Sequence, residues 1–322
     1  MRILITGANG YIGSCLFAFL KMKYKNVFGL DKKIDRVQTG ITKCNLLDTK
    51  KIKKLINSIK PTHIVHLAGE SLVDSTIDKN KYYLNNVVAT RNISAIAEQL
   101  KVSKIIFSST AAVYKPNNKK LKENSKIYPI SNYAKSKLQC ETIIKKTKTN
   151  SIIFRFFNVC SSLKKHGLGE LHRPETHLIP TLLYKIIFKN LFYLYGNNYK
   201  TKDGTCIRDY VHIEDICSAI EKSLSYKMKN KSIVFNLGNG DGFSVLQIIK
   251  NSEKFLTMKA KVLASKAREG DVARLVCDNK KAGKYLKWIP KKSSLKNIIE
   301  NEVFWIKKFS KQGIKRIFKN YL

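Results

Sequence analysis

The chain predicts a doubly wound α/β fold: a parallel sheet with helices on both faces, followed by a smaller mixed α/β lobe. Three observations predict it. Short apolar strands alternate with helical stretches through the first half of the 322 residues. A glycine-rich turn, Gly7-x-x-Gly10-x-x-Gly13, joins the first strand to the first helix. Each of the first three strands runs straight into Asp, Gly or Ala-Gly at its carboxyl end. Strand–helix–strand alternation of this kind demands right-handed parallel crossovers.

Taken in order, Arg2 to Thr6 is the first strand, with a helix running to Leu20 after the glycine turn. Asn26 to Leu30 is the second strand and stops at Asp31. Asp48 to Ile59 has helical spacing, and Thr62 to Leu67 is a strand ending in Ala68-Gly69. A long helix is expected over Tyr82 to Leu100, then a strand at Lys104 to Ser108. Ser131 to Lys146 reads as a helix and Ser151 to Phe156 as a fifth strand. Past Asn158 the rhythm breaks into a helix at Pro180 to Phe188, a polar loop from Gly196 to Gly204, a strand at Ser232 to Leu237 and a helix capped by Ser244. The expected division is a nucleotide-binding domain over residues 1–163 and a substrate lobe over 164–322, with segments near 205–220 and 232–245 returning to the first domain.

Composition narrows the class. Hydrophobic content of 43% fits a folded globular chain. No apolar run reaches the length of a membrane span. Met1-Arg-Ile-Leu-Ile-Thr6 reads directly into a strand, so a secretory leader is not expected. The seven cysteines are odd in number and contain no C-x-x-C pair, which points to reduced thiols in the cytoplasm. Six histidines without an H-x-x-x-H pair suggest no metal.

Lys plus Arg number 61 against 23 Asp plus Glu, a net charge of +38. Such an excess attracts nucleic acid, anionic lipid or acidic ligands. Here the basic residues are spread along the chain beside abundant Asn and Ile, as AT-rich coding produces, so the excess reads as compositional. From Val303 to Leu322 there are six basic residues and no acid, with apolar residues at helical spacing. The ordinary reading is a helix packed on the body; the alternative is an amphipathic helix at an anionic membrane surface.

The glycine turn carries chemistry. Glycines allow a tight turn and a close backbone approach, so the N–H groups around Tyr11 and Ile12 at the helix start suit a pyrophosphate. Asp31 suits ribose hydroxyls and repels a 2′-phosphate, which favours NAD over NADP. Tyr133 and Lys137 lie four residues apart, one above the other on a helix face. An ammonium beside a phenol favours the phenolate, giving a tyrosine able to take and return a proton near neutral pH.

On these residues the chain resembles the extended short-chain dehydrogenase/reductase family, and within it the UDP-hexose 4-epimerases. The resemblance covers nearly the whole chain: the glycine turn, Leu67-Ala68-Gly69, Tyr83-Leu-Asn-Asn86, Phe107-Ser-Ser-Thr110-Ala-Ala-Val-Tyr114, Tyr133-x-x-x-Lys137, Arg155-Phe-Phe-Asn158, Glu175-Thr-His177-Leu-Ile-Pro180 and Arg268-Glu-Gly-Asp271. Its most specific stretch runs from Gly196 to His212.

The resemblance implies reversible, NAD-dependent inversion at C4, as between UDP-glucose and UDP-galactose, through a 4-keto sugar. It implies Tyr133 as acid and base, Lys137 on the nicotinamide ribose lowering the tyrosine pKa, and Thr110 between sugar O4 and the phenol. It places Asn45 and Leu46 near the adenine, where the family usually has Asp in place of Asn45, and Ser71 where relatives often carry Lys. Ala68, Gly69 and Asn86 would line the cofactor groove. Asn158, His177, Arg208, Arg268 and Asp271 would bind substrate, the two arginines on the diphosphate and Asp271 on the uridine ribose. Leu275 stands where relatives carry Tyr or smaller residues. A homodimer is implied.

Two alternatives remain on the same scaffold: a sugar-nucleotide 4,6-dehydratase or decarboxylase, and a non-catalytic NAD-binding regulator. Dehydratases carry Asp-Glu after the catalytic Thr, where this chain has Ala111-Ala112. Regulators typically lose the Tyr/Lys pair, which is intact here.

Overall fold

The computed structural model describes residues 1–34, 39–72, 77–170, 175–268 and 271–310. Seven parallel strands form the central sheet: β1 (Ile3–Thr6), β2 (Val27–Asp31), β3 (Ile41–Lys43), β4 (His63–His66), β5 (Lys104–Thr110), β6 (Asn150–Phe156) and β7 (Ser232–Leu237). Their order is β7-β6-β5-β4-β1-β2-β3. The strand order reverses between β1 and β4, and that switch point is where open α/β sheets bind ligands.

Side-chain alternation builds a core on each face. Ile3, Ile5, Val65, Ile106, Ile152 and Phe154 point to one side, against α1 (Tyr11–Lys21) and the helix Ile213–Ser225. Leu4, Ile64, Ile105, Phe107 and Ile153 point to the other. There they meet α2 (Thr49–Ile59), α3 (Ala89–Gln99) and α4 (Asn132–Lys146). Strands apolar on both faces belong in a sheet covered on both sides.

The second half contributes to both bodies. Tyr210–His212 pairs in parallel with Asn158–Cys160, helix Ile213–Ser225 packs on α1, and β7 extends the sheet beyond β6. The lobe has a separate core in which Ile179, Leu182 and Ile186 meet Ile248, Ile249, Ile298, Val303 and Ile306. Helix Leu295–Ser310 is thus packed on the body through its apolar side; the rest of the basic tail lies outside the described residues. No described helix is long and apolar enough to cross a membrane.

Two elements differ from expectation. β3 is a three-residue edge strand with two exposed residues, too short and polar to show an alternating pattern. The expected long helix from Tyr82 is three pieces: Lys79–Tyr82, a π-helical turn over Tyr83–Val88, and α3. The reason lies in Asn86. Its buried amide accepts from Glu70 N–H at 2.6 Å and donates to the Glu70 carbonyl at 3.2 Å and to Ser136 Oγ at 2.9 Å. Single π turns recur where a helix must aim a side chain at a functional region.

Candidate active site

At the sheet's switch point the glycine turn is tight on every side. Gly7 has φ +72°, and a Cβ there would stand 2.7 Å from the Ala68 nitrogen. A Cβ on Gly13 would stand 1.9 Å from the Gly7 carbonyl oxygen, so only glycine fits. Gly10 caps α1 without a side chain, which leaves the first N–H groups of that helix, at Tyr11 and Ile12, directed out of its end. The Tyr11 hydroxyl is spent elsewhere, donating to the Ser161 carbonyl at 2.6 Å.

Asp31 closes β2 and accepts from the Asn9 N–H at 2.9 Å and from the Lys33 N–H at 3.1 Å. A carboxylate has about four acceptor sites, so capacity remains for ribose hydroxyls. Ala68 and Gly69 follow β4, with the Ala68 N–H near Thr6 Oγ1 at 3.4 Å. Asn86 holds that loop from beneath with both ends of its amide, so it shapes the groove through its neighbours. Asn45 is exposed and Leu46 is buried; Asn45 Oδ1 accepts from the Leu47 N–H at 3.1 Å, while the Leu46 carbonyl takes a bond from Asn92. Ser71 is exposed. The cradle fits a dinucleotide: Gly7 and Gly13 where any Cβ collides with backbone, an uncapped helix start, and one acid at the end of the second strand.

The catalytic candidates come from two elements. α4 starts at Ser131, whose Oγ accepts from the Ala134 N–H at 3.1 Å. That cap sets the first turn, which carries Tyr133. Thr110 ends β5; its Oγ1 accepts from the Ala112 N–H at 3.1 Å, and it is hydrogen-bonded to Tyr133. The Tyr82 ring leans on the Tyr133 ring at 6.3 Å between centroids.

Burial pushes the Tyr133 phenol up to about 12, against the downward pull of Thr110, with Tyr82 and Cys140 adding to the rise. Lys137 is buried, and its ammonium lies 4.7 Å from the centroid of the Phe107 ring. Burial lowers its pKa, while Cys140 and Glu141 pull it back up. The expectation that Lys137 lowers the tyrosine pKa therefore meets a stronger opposing effect. Desolvation governs the phenol here, and the ammonium is not among the groups that shift it.

The substrate candidates fall into separate groups. Arg208 and Asp271 form an ion pair at 3.0 Å, and Arg208 also donates to the Val272 carbonyl at 2.6 Å. Arg268 is exposed and stacks over Tyr195, 4.2 Å from the ring centroid. Asn158 donates from Nδ2 to the Asp209 carbonyl at 2.9 Å, leaving its amide oxygen for another donor. Asp209 is fully buried and is pushed up to about 6 by desolvation, against three backbone N–H bonds from Cys277, Gly240 and Asn239. Leu275 packs on Ala111, Val113 and Phe157, close in sequence to Thr110 and Asn158. A cleft of about 310 Å³ between residues 116–118 and 272–274 is lined by none of the catalytic candidates.

His177 caps the helix Leu178–Ile187 and turns its ring toward Glu170 and Glu175. These three residues bring donor atoms within 4.8 Å of one another, the arrangement among the described residues that comes nearest to a metal-ligand set. Sequence patterns did not single out Glu170 or its buried neighbour Glu302. Neither sits in a spaced motif; Glu170 meets His177, and Glu302 comes near Glu170 and Glu175, only in the fold.

Residues 3–238 match the NAD dependent epimerase/dehydratase family. The chain is 34% identical to a UDP-glucose 4-epimerase of Lactobacillus helveticus, over 97% of this chain and 98% of the relative. It is 32% identical to a UDP-glucose 4-epimerase of Mycoplasma pneumoniae, over 94% and 96%. Among solved structures, UDP-glucose 4-epimerase from Brucella ovis in complex with NAD superposes with a TM-score of 0.88 at 27% identity, covering 94% of this chain and 97% of that one. The UDP-Glc/GlcNAc 4-epimerase of Campylobacter jejuni superposes with a TM-score of 0.81 at 34% identity, covering 95% and 99%. With its glycine cradle, its Tyr133/Lys137 helix and this likeness along nearly its full length, the chain belongs to the NAD dependent epimerase/dehydratase family.

Proposed function

We propose that the chain inverts C4 of a UDP-hexose reversibly, with NAD as a resident cofactor, and that Tyr133, Thr110 and Lys137 carry the proton chemistry. The observation that carries this reading is the Thr110–Tyr133 hydrogen bond beside the glycine cradle. A hydroxyl that donates and accepts can follow a proton in both directions.

In this reading Tyr133, as phenolate, takes the proton of the sugar 4-hydroxyl, and the C4–H bond gives up a hydride. NAD, held by the glycine cradle and Asp31, would supply the oxidised ring that accepts this hydride and, once reduced, the donor that returns it to the opposite face. The 4-keto sugar turns over in the site, and Tyr133 gives the proton back to O4. Atoms and electrons balance without an external oxidant. A phenol held near 12 by burial needs added positive charge to act at neutral pH. Lys137 does not shift the phenol in the structure itself; with the dinucleotide bound, its ammonium one turn along α4 would join the positive nicotinamide ring in supplying that charge.

Gly7, Gly10 and Gly13, the Tyr11 and Ile12 backbone and Asp31 would hold the dinucleotide, with Asn45 and Leu46 near its base. Arg208 and Arg268 would clamp the diphosphate, and Asn158, His177 and Asp271 would complete the substrate side. Arg208 is already aimed by Asp271 and Val272, which supports that assignment. Ala111 and Ala112 after Thr110 offer no acid for water elimination, which disfavours a dehydratase. The reading extends to a cytoplasmic homodimer: all seven cysteines are unpaired and buried, and exposed Tyr83 and Leu84 are apolar positions for a second copy to cover.

The test is a coupled epimerisation assay with UDP-glucose and, in parallel, UDP-N-acetylglucosamine. Turnover of either pair without added oxidant is the expected result. A stable 4-keto-6-deoxy product, or NAD binding without any turnover, overturns it.

A further inference from the structure

Glu141 is a buried ionic group that the proposed chemistry does not use. It lies on α4, four residues beyond Lys137 and eight beyond Tyr133, so all three share one side of the helix. Its side chain has no exposure. Arg155 of β6, 3% exposed, grips it with two bonds, Nε to Oε1 at 2.8 Å and Nη2 to Oε2 at 2.7 Å. Ser109 of β5 donates to Oε1 at 2.6 Å.

Ser109 and Arg155 are register partners on adjacent strands, and Ser109 immediately precedes Thr110. The fork itself is held from behind. Arg155 donates to the Glu123 carbonyl at 3.2 Å and lies over the Tyr114 ring at 4.8 Å. The Tyr114 hydroxyl in turn donates to Asn236 of β7 at 2.6 Å. One carboxylate therefore ties the helix bearing Tyr133 and Lys137 to the strand bearing Thr110.

We propose that Glu141 is a positioning residue that holds Tyr133 and Lys137 in register with Thr110, through its bonds to Ser109 and Arg155. The proposal rests on the epimerase reading. Its physical basis is leverage. A bidentate guanidinium–carboxylate fork fixes both distance and angle, and a misplacement of about 1 Å costs on the order of 10²-fold in rate.

Glu141 has a second, electrostatic consequence. Burial pushes its carboxyl up, but Arg155, Ser109 and Lys145 outweigh that and hold it below the usual carboxylate range. It is thus a buried anion one turn from Lys137, and it raises the lysine pKa. The other groups facing Lys137 are Cys140 on the same helix, Phe107 on β5, and His66 on β4, which stays neutral because burial and Lys137 both lower its pKa, to about 3. Removing the anion leaves Arg155 uncovered nearby, which lowers the lysine pKa further.

The experiment compares Glu141→Gln, Glu141→Asp and Ser109→Ala with the parent. It reads kcat against pH, KM, NAD⁺ and UDP affinities by calorimetry, and thermal unfolding. For Glu141→Gln we expect kcat to fall about 10²-fold, with KM and both affinities within about twofold and the alkaline limb of kcat moved to lower pH. Glu141→Asp keeps the charge on a shorter stem, so kcat falls while the alkaline limb stays at the parent position. Ser109→Ala loses one strut, and kcat falls about three- to tenfold.

Parent kcat and pH profile in folded Glu141→Gln overturn the proposal. So does a loss of rate that merely tracks the folded fraction. Should that variant fail to fold, Ser109→Ala decides alone, and parent kcat there overturns it. A parent protein that binds NAD⁺ yet turns over neither sugar nucleotide defeats the epimerase reading and this proposal with it. Parent turnover with parent-like variants defeats this proposal only.

Discussion

The two sides of the site are built differently. Around Tyr133 every group is anchored: Thr110 by a backbone bond, Lys137 by burial over Phe107, Asn86 by three bonds, Glu141 by a guanidinium fork. On the substrate side Arg208 and Asn158 are held by bonds, but three of the candidates reach the surface. Arg268 stacks on an outer tyrosine, His177 is half exposed, and Asp271 keeps 32% of its side-chain surface. The contrast matches what reversible inversion demands. Proton and hydride transfer need fixed distances, whereas a sugar that must present both faces needs a grip at its nucleotide and freedom at its hexose.

The sharpest way to break this comparison is Tyr133→Phe. Turnover should fall by roughly 10²–10⁴-fold, the usual worth of acid–base assistance, while NAD⁺ and UDP affinities stay within about threefold. Loss of affinity in step with rate would show that the phenol belongs to the binding side after all. Arg208→Ala should do the reverse. UDP affinity should drop by about 10- to 100-fold, as for a lost charge-assisted bond of about 1.5–3 kcal/mol, with kcat at saturation changed less than KM. Arg268→Ala should cost less, about tenfold or under, because that guanidinium is exposed. Equal effects of the two arginines, read by calorimetry with UDP, would erase the graded grip proposed for that side.

Stability against pH probes the buried titratable groups, of which His66 lies beside Lys137. Burial lowers the pKa of His66 to about 3, and desolvation brings His63 and His212 to about 4, so all three are neutral in the fold. The unfolded chain binds protons at these sites below about 6.5. Each histidine therefore withdraws stability as pH falls from about 6.5 to 4, at roughly 1.4 kcal/mol per pH unit. Asp209 opposes this. Its folded pKa is raised, so it favours the folded state as pH falls from about 6 to 4. Burial also raises the carboxyls of Asp215 and Glu302, which act in the same direction as Asp209. The histidines, whose unfolded midpoint lies inside the pH 7 to 5 window, outweigh them, and the net acid destabilisation is measurable as a lower urea midpoint at pH 5 than at pH 7. A flat midpoint over that range would mean that the histidines are not buried neutral.

Much of this was legible in order of sequence locality. The glycine turn, Asp31, the capped Tyr133 helix and six of the seven sheet strands all lie within short windows whose periodicity or spacing reports them. β3 escaped because three residues at a sheet edge have no period. The π turn escaped because its cause, Asn86 bonded to Glu70 and Ser136, joins residues 16 and 50 positions away. Arg155 was seen only as part of a motif, since its partner Glu141 lies on the preceding helix and nothing in the spacing marks them as a pair. The Glu170–Glu175–His177 group likewise combines a strand end with a helix cap.

By itself, then, the order of residues settled the local matters: where strands alternate with helices, where only glycine can turn, and which tyrosine and lysine share a helix face. Those follow from backbone sterics and the 3.6-residue turn. The protonation of the buried groups was decided only by tertiary structure. Whether Tyr133 sits near 10 or near 12 depends on how much water its neighbours exclude. Whether Glu141 stays charged depends on an arginine fourteen residues away that only sheet pairing brings within 2.7 Å.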